Sequence, residues 1–266
     1  MKSDDANRLV PRRRVLQLTV GLAGGLFFAG ALMRATRAAA APGPPPGPRG
    51  PEPYDFTQYY WAYAVDTTKC IGCGTCVRAC RRENDVPAGC HRTWVERYEI
   101  DGKGEVHVDV GADDTAAFDA NAIGSGAEPT KAFFVPKLCN HCERSVCSQV
   151  CPVGASYGTP DGVVLVDKER CIGCGYCIQA CPYGTRFINP RTHTADKCTF
   201  CYHRITKGLK PACVHVCPVG ARMFGNLKDS RSELREILRQ RRYSLLKPEM
   251  GTRPKCYYIG LDLEVK

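Results

Sequence analysis

The sequence predicts an α+β chain in which short strands and hairpins lead into cysteine clusters and a helix–strand segment closes the C-terminus. Three observations carry this expectation. Residues 93–111, "TWVERYEIDGKGEVHVDVG", alternate apolar and polar side chains on either side of Asp101–Gly104, the pattern of a β-hairpin. "KAFFVPK" (131–137) and "GVVLVDK" (162–168) read as short strands, each running into a cysteine cluster. Ser230–Leu246 instead spaces Leu234, Ile237, Leu238 and Leu245 at helical intervals, with Ser230 or Ser232 as a cap and Pro248 beyond its end.

Taken in order, residues 1–41 read as an export signal rather than as part of the fold. Arg12 and Arg13, followed after one residue by Val15 and Leu16, resemble a twin-arginine signal. An apolar run from Leu18 to Met33 and small residues around Ala39–Ala41 complete it. Those sixteen residues, interrupted by four glycines, fall short of the ~20 that span a bilayer, so cleavage is expected rather than retention as an anchor. Residues 42–58 open with "PGPPPGPRGPEP", a Pro/Gly tether that can be neither helix nor sheet. The cysteine-bearing body spans 59–225, interrupted at 112–130 by a small, acidic, Gly-containing stretch read as a surface insertion. A C-terminal extension, 226–266, ends in "CYYIGLDLEV", expected as a strand. No later run is apolar enough to cross a membrane, so the mature chain should be soluble or peripheral.

Eighteen cysteines, about 7 % of the chain, dominate its chemistry. Sixteen fall into four clusters of four: Cys70, Cys73, Cys76, Cys80; Cys139, Cys142, Cys147, Cys151; Cys171, Cys174, Cys177, Cys181; and Cys198, Cys201, Cys213, Cys217. Disulfide frameworks scatter their cysteines singly, and a bridge inside a CxxC loop staples nothing distant, so metal ligation is the better reading. CxxCxxC wraps a loop around one cube of iron and sulfide, with glycines such as Gly72, Gly74, Gly173 and Gly175 bringing backbone N–H groups to sulfur. The fourth cysteine, three residues on, ligates the other cluster of a pair in bacterial runs of this kind. No such motif completes a cube alone. Zinc would use two CxxC pairs and has no need of a third cysteine at x2, or of the Cys-Pro that ends three of the four motifs.

Other signals are negative. No CxxCH marks covalent haem, no phosphate-binding glycine loop follows a strand, and no nucleophile–base signature stands out, so the chain is expected to carry electrons without bond chemistry. The net charge of +10 divides equally between the signal and the mature chain, and four oxidised cubes with their thiolates would make the latter acidic. Together with export, this excludes nucleic acid as a partner. His141, His203 and His215 lie inside motifs whose cysteines already suffice, and are expected to pack or hydrogen-bond. Lys69, Lys137, Arg170 and Lys197 precede the four motifs and are candidates for raising cluster potentials, or else solvated surface charges. Cys90 and Cys256 are left over, expected as two unrelated buried thiols rather than a disulfide.

The stretches "KCIGCGTCVRACRREN", "CNHCERSVCSQVCPVGA", "CIGCGYCIQACPYGTRF" and "KCTFCYHRITKGLKPACVHVCPVGARMFG", with the tail "LKPEMGTRPKCYYIG", resemble the four-cluster iron–sulfur subunits of membrane-associated respiratory complexes. That family includes the electron-transfer subunits of polysulfide, thiosulfate, tetrathionate and dimethyl sulfoxide reductases, with relatives in nitrite-reductase and sulfite-metabolism complexes. The resemblance covers roughly residues 60–260. It implies two ferredoxin-like bis-[4Fe–4S] modules related by pseudo-symmetry, the outer motifs paired and the inner motifs paired. One cluster would be held by Cys70, Cys73, Cys76 and Cys217, a second by Cys80, Cys198, Cys201 and Cys213. A third would fall to Cys139, Cys142, Cys147 and Cys181, a fourth to Cys151, Cys171, Cys174 and Cys177. Arg81 stands where the other motifs have proline and should change only the loop exit.

The resemblance further implies an exported subunit on the outer face of the cytoplasmic membrane. Such a subunit passes electrons between a quinone-reactive integral membrane subunit and a molybdopterin catalytic subunit, or multihaem cytochromes in a complex lacking molybdenum. A free-standing periplasmic polyferredoxin is the alternative of a different class, and a zinc protein a third. The twin-arginine route carries folded proteins, so export and clusters assembled in the reducing cytosol are mutually consistent.

Overall fold

The computed structural model of the chain describes residues 54–111, 118 and 129–265; the signal, most of the tether and most of the 112–130 insertion lie outside the described residues. β1 (Trp61–Asp66) leads through a loop into α1 (Thr75–Asn84) and then into an antiparallel sheet of β2 (Thr93–Ile100), β3 (Val106–Val110) and β4 (Lys131–Leu138). Two small units follow. In the first, α2 (Val146–Gln149) precedes the hairpin β5 (Ser156–Gly158) and β6 (Val164–Val166); in the second, α3 (Tyr176–Gln179) precedes β7 (Arg186–Ile188) and β8 (Ala195–Lys197). The chain then forms α4 (Tyr202–Ile205), α5 (Ala212–His215), β9 (Arg222–Asn226), α6 (Glu233–Gln240), β10 (Tyr243–Ser244) and β11 (Cys256–Ile259).

β1 sits inside a four-stranded sheet ordered β10–β11–β1–β9, parallel to β11 and antiparallel to β9. It is buried on both faces, which is why "WAYAV" shows no apolar–polar alternation in the sequence. Tyr63 and Val65 enter the main core with Phe200, Tyr202, Tyr258 and the cysteines Cys76, Cys139, Cys198 and Cys213. Ala62 and Ala64 meet Leu234 of α6 on the opposite face. Leu234 is therefore the side chain that closes the second core, and Leu234→Ala should lower stability by about 2–5 kcal/mol. Denaturant unfolding of the iron-loaded protein checks this; an unchanged midpoint would place the closure elsewhere.

The expected hairpin is present. β2 pairs with β3, and Asp101 Oδ1 accepts hydrogen bonds from the backbone N–H groups of Lys103 (2.8 Å) and Glu105 (2.9 Å) across the turn. β4 is the expected strand, pairing with β2 from Thr93↔Leu138 to Ile100↔Lys131 and delivering the chain to Cys139. β6 covers only the middle of 162–168, because Gly162 at φ +87 still belongs to the turn that brings β5 back onto it.

The C-terminal segment differs from expectation. The helix runs over Glu233–Gln240, not Ser230–Leu246. Arg241 leaves it with extended backbone, its guanidinium 2.5 Å from the buried carboxylate of Asp66, and Tyr243–Ser244 then pair with Tyr258–Ile259. Leu245 thus lies outside the helix. Ser232 occupies the N-cap position but its side chain makes no capping hydrogen bond, because the hydroxyl is turned toward Gly225. The final strand ends at Ile259, where Gly260 at φ +69 turns the chain. Since β11 is hydrogen-bonded along β1, the tail is woven into the central sheet. Among the described residues no helix is long and apolar enough to cross a membrane.

Candidate metal centre

The clustered cysteines come together in four groups. Cys70, Cys73, Cys76 and Cys217 line one cavity, with an empty volume of about 320 Å³. Cys80, Cys198, Cys201 and Cys213 line a second of about 300 Å³, and Cys151, Cys171, Cys174 and Cys177 a third of about 330 Å³. Cys142 has Cys139, Cys147 and Cys181 as its electrostatic neighbours, which defines the remaining group. We refer to these as the Cys70, Cys80, Cys151 and Cys139 groups. Helix packing produces the grouping: α1 lies on α5, joining the first and last motifs, and α2 lies on α3, joining the middle two.

Three of the motifs leave their last cysteine through Cys-Pro-x-Gly, and each folds into the same tight turn. Gly154, Gly184 and Gly220 have φ of +64, +62 and +62, and their N–H groups bond back to the carbonyls of Cys151, Cys181 and Cys217. The turn starts a strand one residue later and aims the fifth residue after the cysteine inward: Ser156, Arg186 and Arg222. The first motif lacks proline at Arg81, so α1 runs on for ten residues to Asn84. This continuation has consequences. Asn84 Nδ2 reaches the sulfurs of Cys80 (3.5 Å) and Cys201 (3.6 Å), while Arg92, itself paired with Asp196 at 2.8 Å, holds the amide oxygen at 3.0 Å.

Glu83 on the same extension bonds His203 (2.7 Å) and Arg204 (3.0 Å) of α4, and the hydrogen bond from His203 holds its carboxyl below the usual value of 4.5. A depressed carboxyl adds stability above its unfolded pKa and loses it as pH falls through the folded one. Because the pair is largely exposed, the effect should be under about 1 kcal/mol. Glu83→Gln is expected to remove it, visible as a flatter dependence of the melting temperature on pH below 4.5.

Burial, reinforced by neighbouring thiols, resists ionisation of Cys70, Cys76, Cys80, Cys142, Cys177, Cys198 and Cys213. Burial pushes Cys142 up to about 12, and drives Cys80 and Cys198 higher still. Cys73 alone moves down: its burial is overcome by hydrogen bonds from Thr75. Four crowded thiols of this kind become thiolates together only around a strongly Lewis-acidic centre. Orphaned donors tell the same story. Nε and one terminal nitrogen of Arg186, and one terminal nitrogen of Arg222, are buried without a partner beside the cysteine cavities. An anionic sulfur-rich group would satisfy them, and the cysteine sets fit iron–sulfur clusters.

Arg186 and Arg222 were not singled out by sequence reasoning, although the repeated Cys-Pro-x-Gly-x-Arg could have revealed them. Arg186 donates to Cys147 Sγ at 2.9 Å and to Ser156 Oγ at 2.8 Å; Arg222 lines the Cys70 cavity and donates to Tyr63 Oη at 3.4 Å. Of the four cations noted before the motifs, Lys197 is buried, donating to the carbonyls of Cys198 (2.7 Å) and Val164. Lys69, Lys137 and Arg170 instead face the carboxylates of Asp66, Glu96 and Asp167. The histidines behave as packing and hydrogen-bonding groups in two cases. His141 stacks on Phe200 at 3.7 Å and its Nδ1 accepts from Val164 N–H at 3.0 Å, burial holding the ring neutral; His203 bonds Glu83, and His215 is exposed. Cys256 is buried in β11, whereas Cys90 is only half-buried.

Two 4Fe-4S dicluster domains match the chain, over residues 69–155 and 130–227. A tetrathionate reductase subunit of Salmonella typhimurium is 43 % identical over 218 residues, covering 81 % of this chain and 78 % of the relative. The chain belongs to the [4Fe–4S] electron-transfer subunit family of respiratory oxidoreductase complexes. Within this family, the thiosulfate reductase electron transfer subunit of Salmonella typhi is 43 % identical over 180 residues (66 % of this chain, 82 % of the relative). A sulfite dehydrogenase subunit of Allochromatium vinosum is 39 % identical over 208 residues (74 % and 82 %). Reductases and a dehydrogenase share the same kind of subunit, so family membership carries iron–sulfur electron transfer but no direction of flow.

Proposed function

We propose that this chain is the electron-transfer subunit of an exported, membrane-associated respiratory complex, passing electrons between a quinone-reactive integral membrane subunit and a molybdopterin catalytic subunit. The reading rests on one observation above others: sixteen cysteines converge in four groups of four, each drawn from two motifs. In this reading each of the four groups holds one [4Fe–4S] cluster, in two ferredoxin-like modules related by pseudo-symmetry. When bound, the clusters supply one-electron carriers. Shared neighbours link the groups. Arg222 lines the Cys70 cavity and donates to Tyr63, which lies 3.3 Å from Cys213. Leu138, next to Cys139, lines the Cys80 cavity, and Arg186 donates to Cys147 and to Ser156, whose N–H reaches Cys151. This supports a single file from the Cys70 group through the Cys80 and Cys139 groups to the Cys151 group.

The chain's own residues prepare that file. Asn84, Tyr63 and Arg186 direct N–H or O–H groups at cysteine sulfur, and hydrogen bonds to sulfur raise reduction potentials. Tyr63, His141 and Phe224 pack their rings around the buried Phe200. The Arg12–Arg13 signal supports export after folding, with cluster assembly in the cytosol. The named relatives are subunits of a tetrathionate reductase, a thiosulfate reductase and a sulfite dehydrogenase, which favours a catalytic partner of that general kind. Anaerobic purification from native membranes is the test. About sixteen irons per chain, paramagnetic signals on reduction and co-purification with an integral membrane protein are expected. A colourless chain, or one recovered alone from the soluble fraction, would overturn the cluster count or the membrane partner respectively.

A further inference from the structure

We infer that Arg222, Lys197 and Arg186 occupy the three successive gaps between the cysteine groups, and that each sets the potentials of the two clusters beside it. The inference rests on the four-cluster reading above. These side chains are 3 %, 1 % and 5 % exposed. Cations are almost never buried so deeply without an anion, yet their partners among the described residues are sulfur, hydroxyl and carbonyl groups, with no carboxylate.

Each cation faces two groups. Arg222 lines the Cys70 cavity together with Cys76, and on its other side donates to Tyr63 Oη, which lies 3.3 Å from Cys213 Sγ of the Cys80 group. Lys197 holds the Cys198 carbonyl in the Cys80 group; its second acceptor is the carbonyl of Val164, whose N–H bonds His141 between Cys139 and Cys142 of the Cys139 group. Arg186 donates to Cys147 of the Cys139 group, and its second partner, Ser156, sends its own N–H to Cys151 Sγ of the Cys151 group at 3.5 Å. The three gaps in the file therefore hold one fixed positive charge each.

The physical consequence follows from position. An electron added beside a fixed cation in a poorly polarisable interior is stabilised, and a cation between two acceptors stabilises it on either side. Both potentials rise together, so the step across the gap stays nearly level. The same charge offsets the repulsion between electrons held on adjacent clusters. Lys69, Lys137 and Arg170 lack this effect because each faces a carboxylate that offsets its charge.

The test is a redox titration of the intact, iron-loaded protein, followed by paramagnetic resonance, with the variants Arg222→Gln, Lys197→Met and Arg186→Gln, and Lys69→Gln as control. Each neutralised gap should move two of the four potentials downward and leave the other two in place. The Lys197 variant should share one shifted cluster with each arginine variant, a pattern that needs no prior assignment of signals. Arg222→Lys and Arg186→Lys, retaining the charge, should shift them less than the glutamine variants. Where an arginine variant fails to load iron, Lys197→Met carries the test, since Lys197 donates only to carbonyls. No shift, a shift of one cluster, or an equal shift of all four at full iron loading overturns the inference. Fewer than sixteen irons in the unaltered protein would instead defeat the four-cluster reading.

Discussion

Anaerobic removal of iron is expected to abolish the cooperative unfolding transition of the cysteine-bearing body. Four of the six α-helices among the described residues span four residues, far below the length at which a helix stands alone, and both small hairpins pair only three residues a side. The main core includes Cys76, Cys139, Cys198 and Cys213 among its buried members, so cysteines of the four groups are part of its packing. Without clusters, Arg222, Arg186 and Lys197 would also stay buried with no anion nearby, and an unpaired buried charge costs several kcal/mol. Loss of crosslinks and gain of bare charge act in the same direction. Metal binding is then inseparable from folding. Calorimetry before and after chelation reads this directly. A chelated chain that still melts in one sharp step at the original temperature would remove the clusters from the account of stability.

Gly173→Ala is expected to empty the Cys151 group, with loss of about four irons, whereas Gly72→Ala at the matching position of the first motif should keep its cluster. Both glycines have φ of +68, so either alanine carries roughly 1–2 kcal/mol of left-handed strain. What differs is the neighbour. A methyl group on Gly173 would collide with the backbone carbonyl of His193, between the strands of the β7–β8 hairpin, which cannot move without shifting β8. On Gly72 it would meet the ring of Phe134, a half-buried side chain that can rotate away. Iron analysis of the two variants separates them; equal losses, or none, would show that the backbone collision does not decide.

Much of this site can be read from the residues. The four motifs name sixteen sulfur donors, because a CxxCxxC loop needs only local chain geometry to present three thiolates to one cube. The Asp101–Gly104 turn and β4 are legible for the same reason, since hairpin register depends on neighbours in sequence. Arg81 in place of proline foretells a changed exit, though not that the longer helix would deliver Asn84 to Cys80 and Cys201. The overlong helix near the C-terminus marks the boundary of such reasoning. Leu245 matched the helical period by chance, while the distant carboxylate of Asp66 drew Arg241 out of the helix.

What a reader of the residues could establish is the kind of chemistry, because ligand type and spacing are written in short stretches. Packing alone chose which motifs share a cavity, since that depends on α1 meeting α5 and α2 meeting α3 across long intervals of chain. Packing also turned three ordinary-looking cations inward. In a sequence, an arginine or lysine is by default a solvated side chain, and only the surrounding sulfur and backbone can make its burial favourable. The same holds for β1 and the tail: their apolar residues are visible, but their partners are fixed by contacts between segments nearly two hundred positions apart.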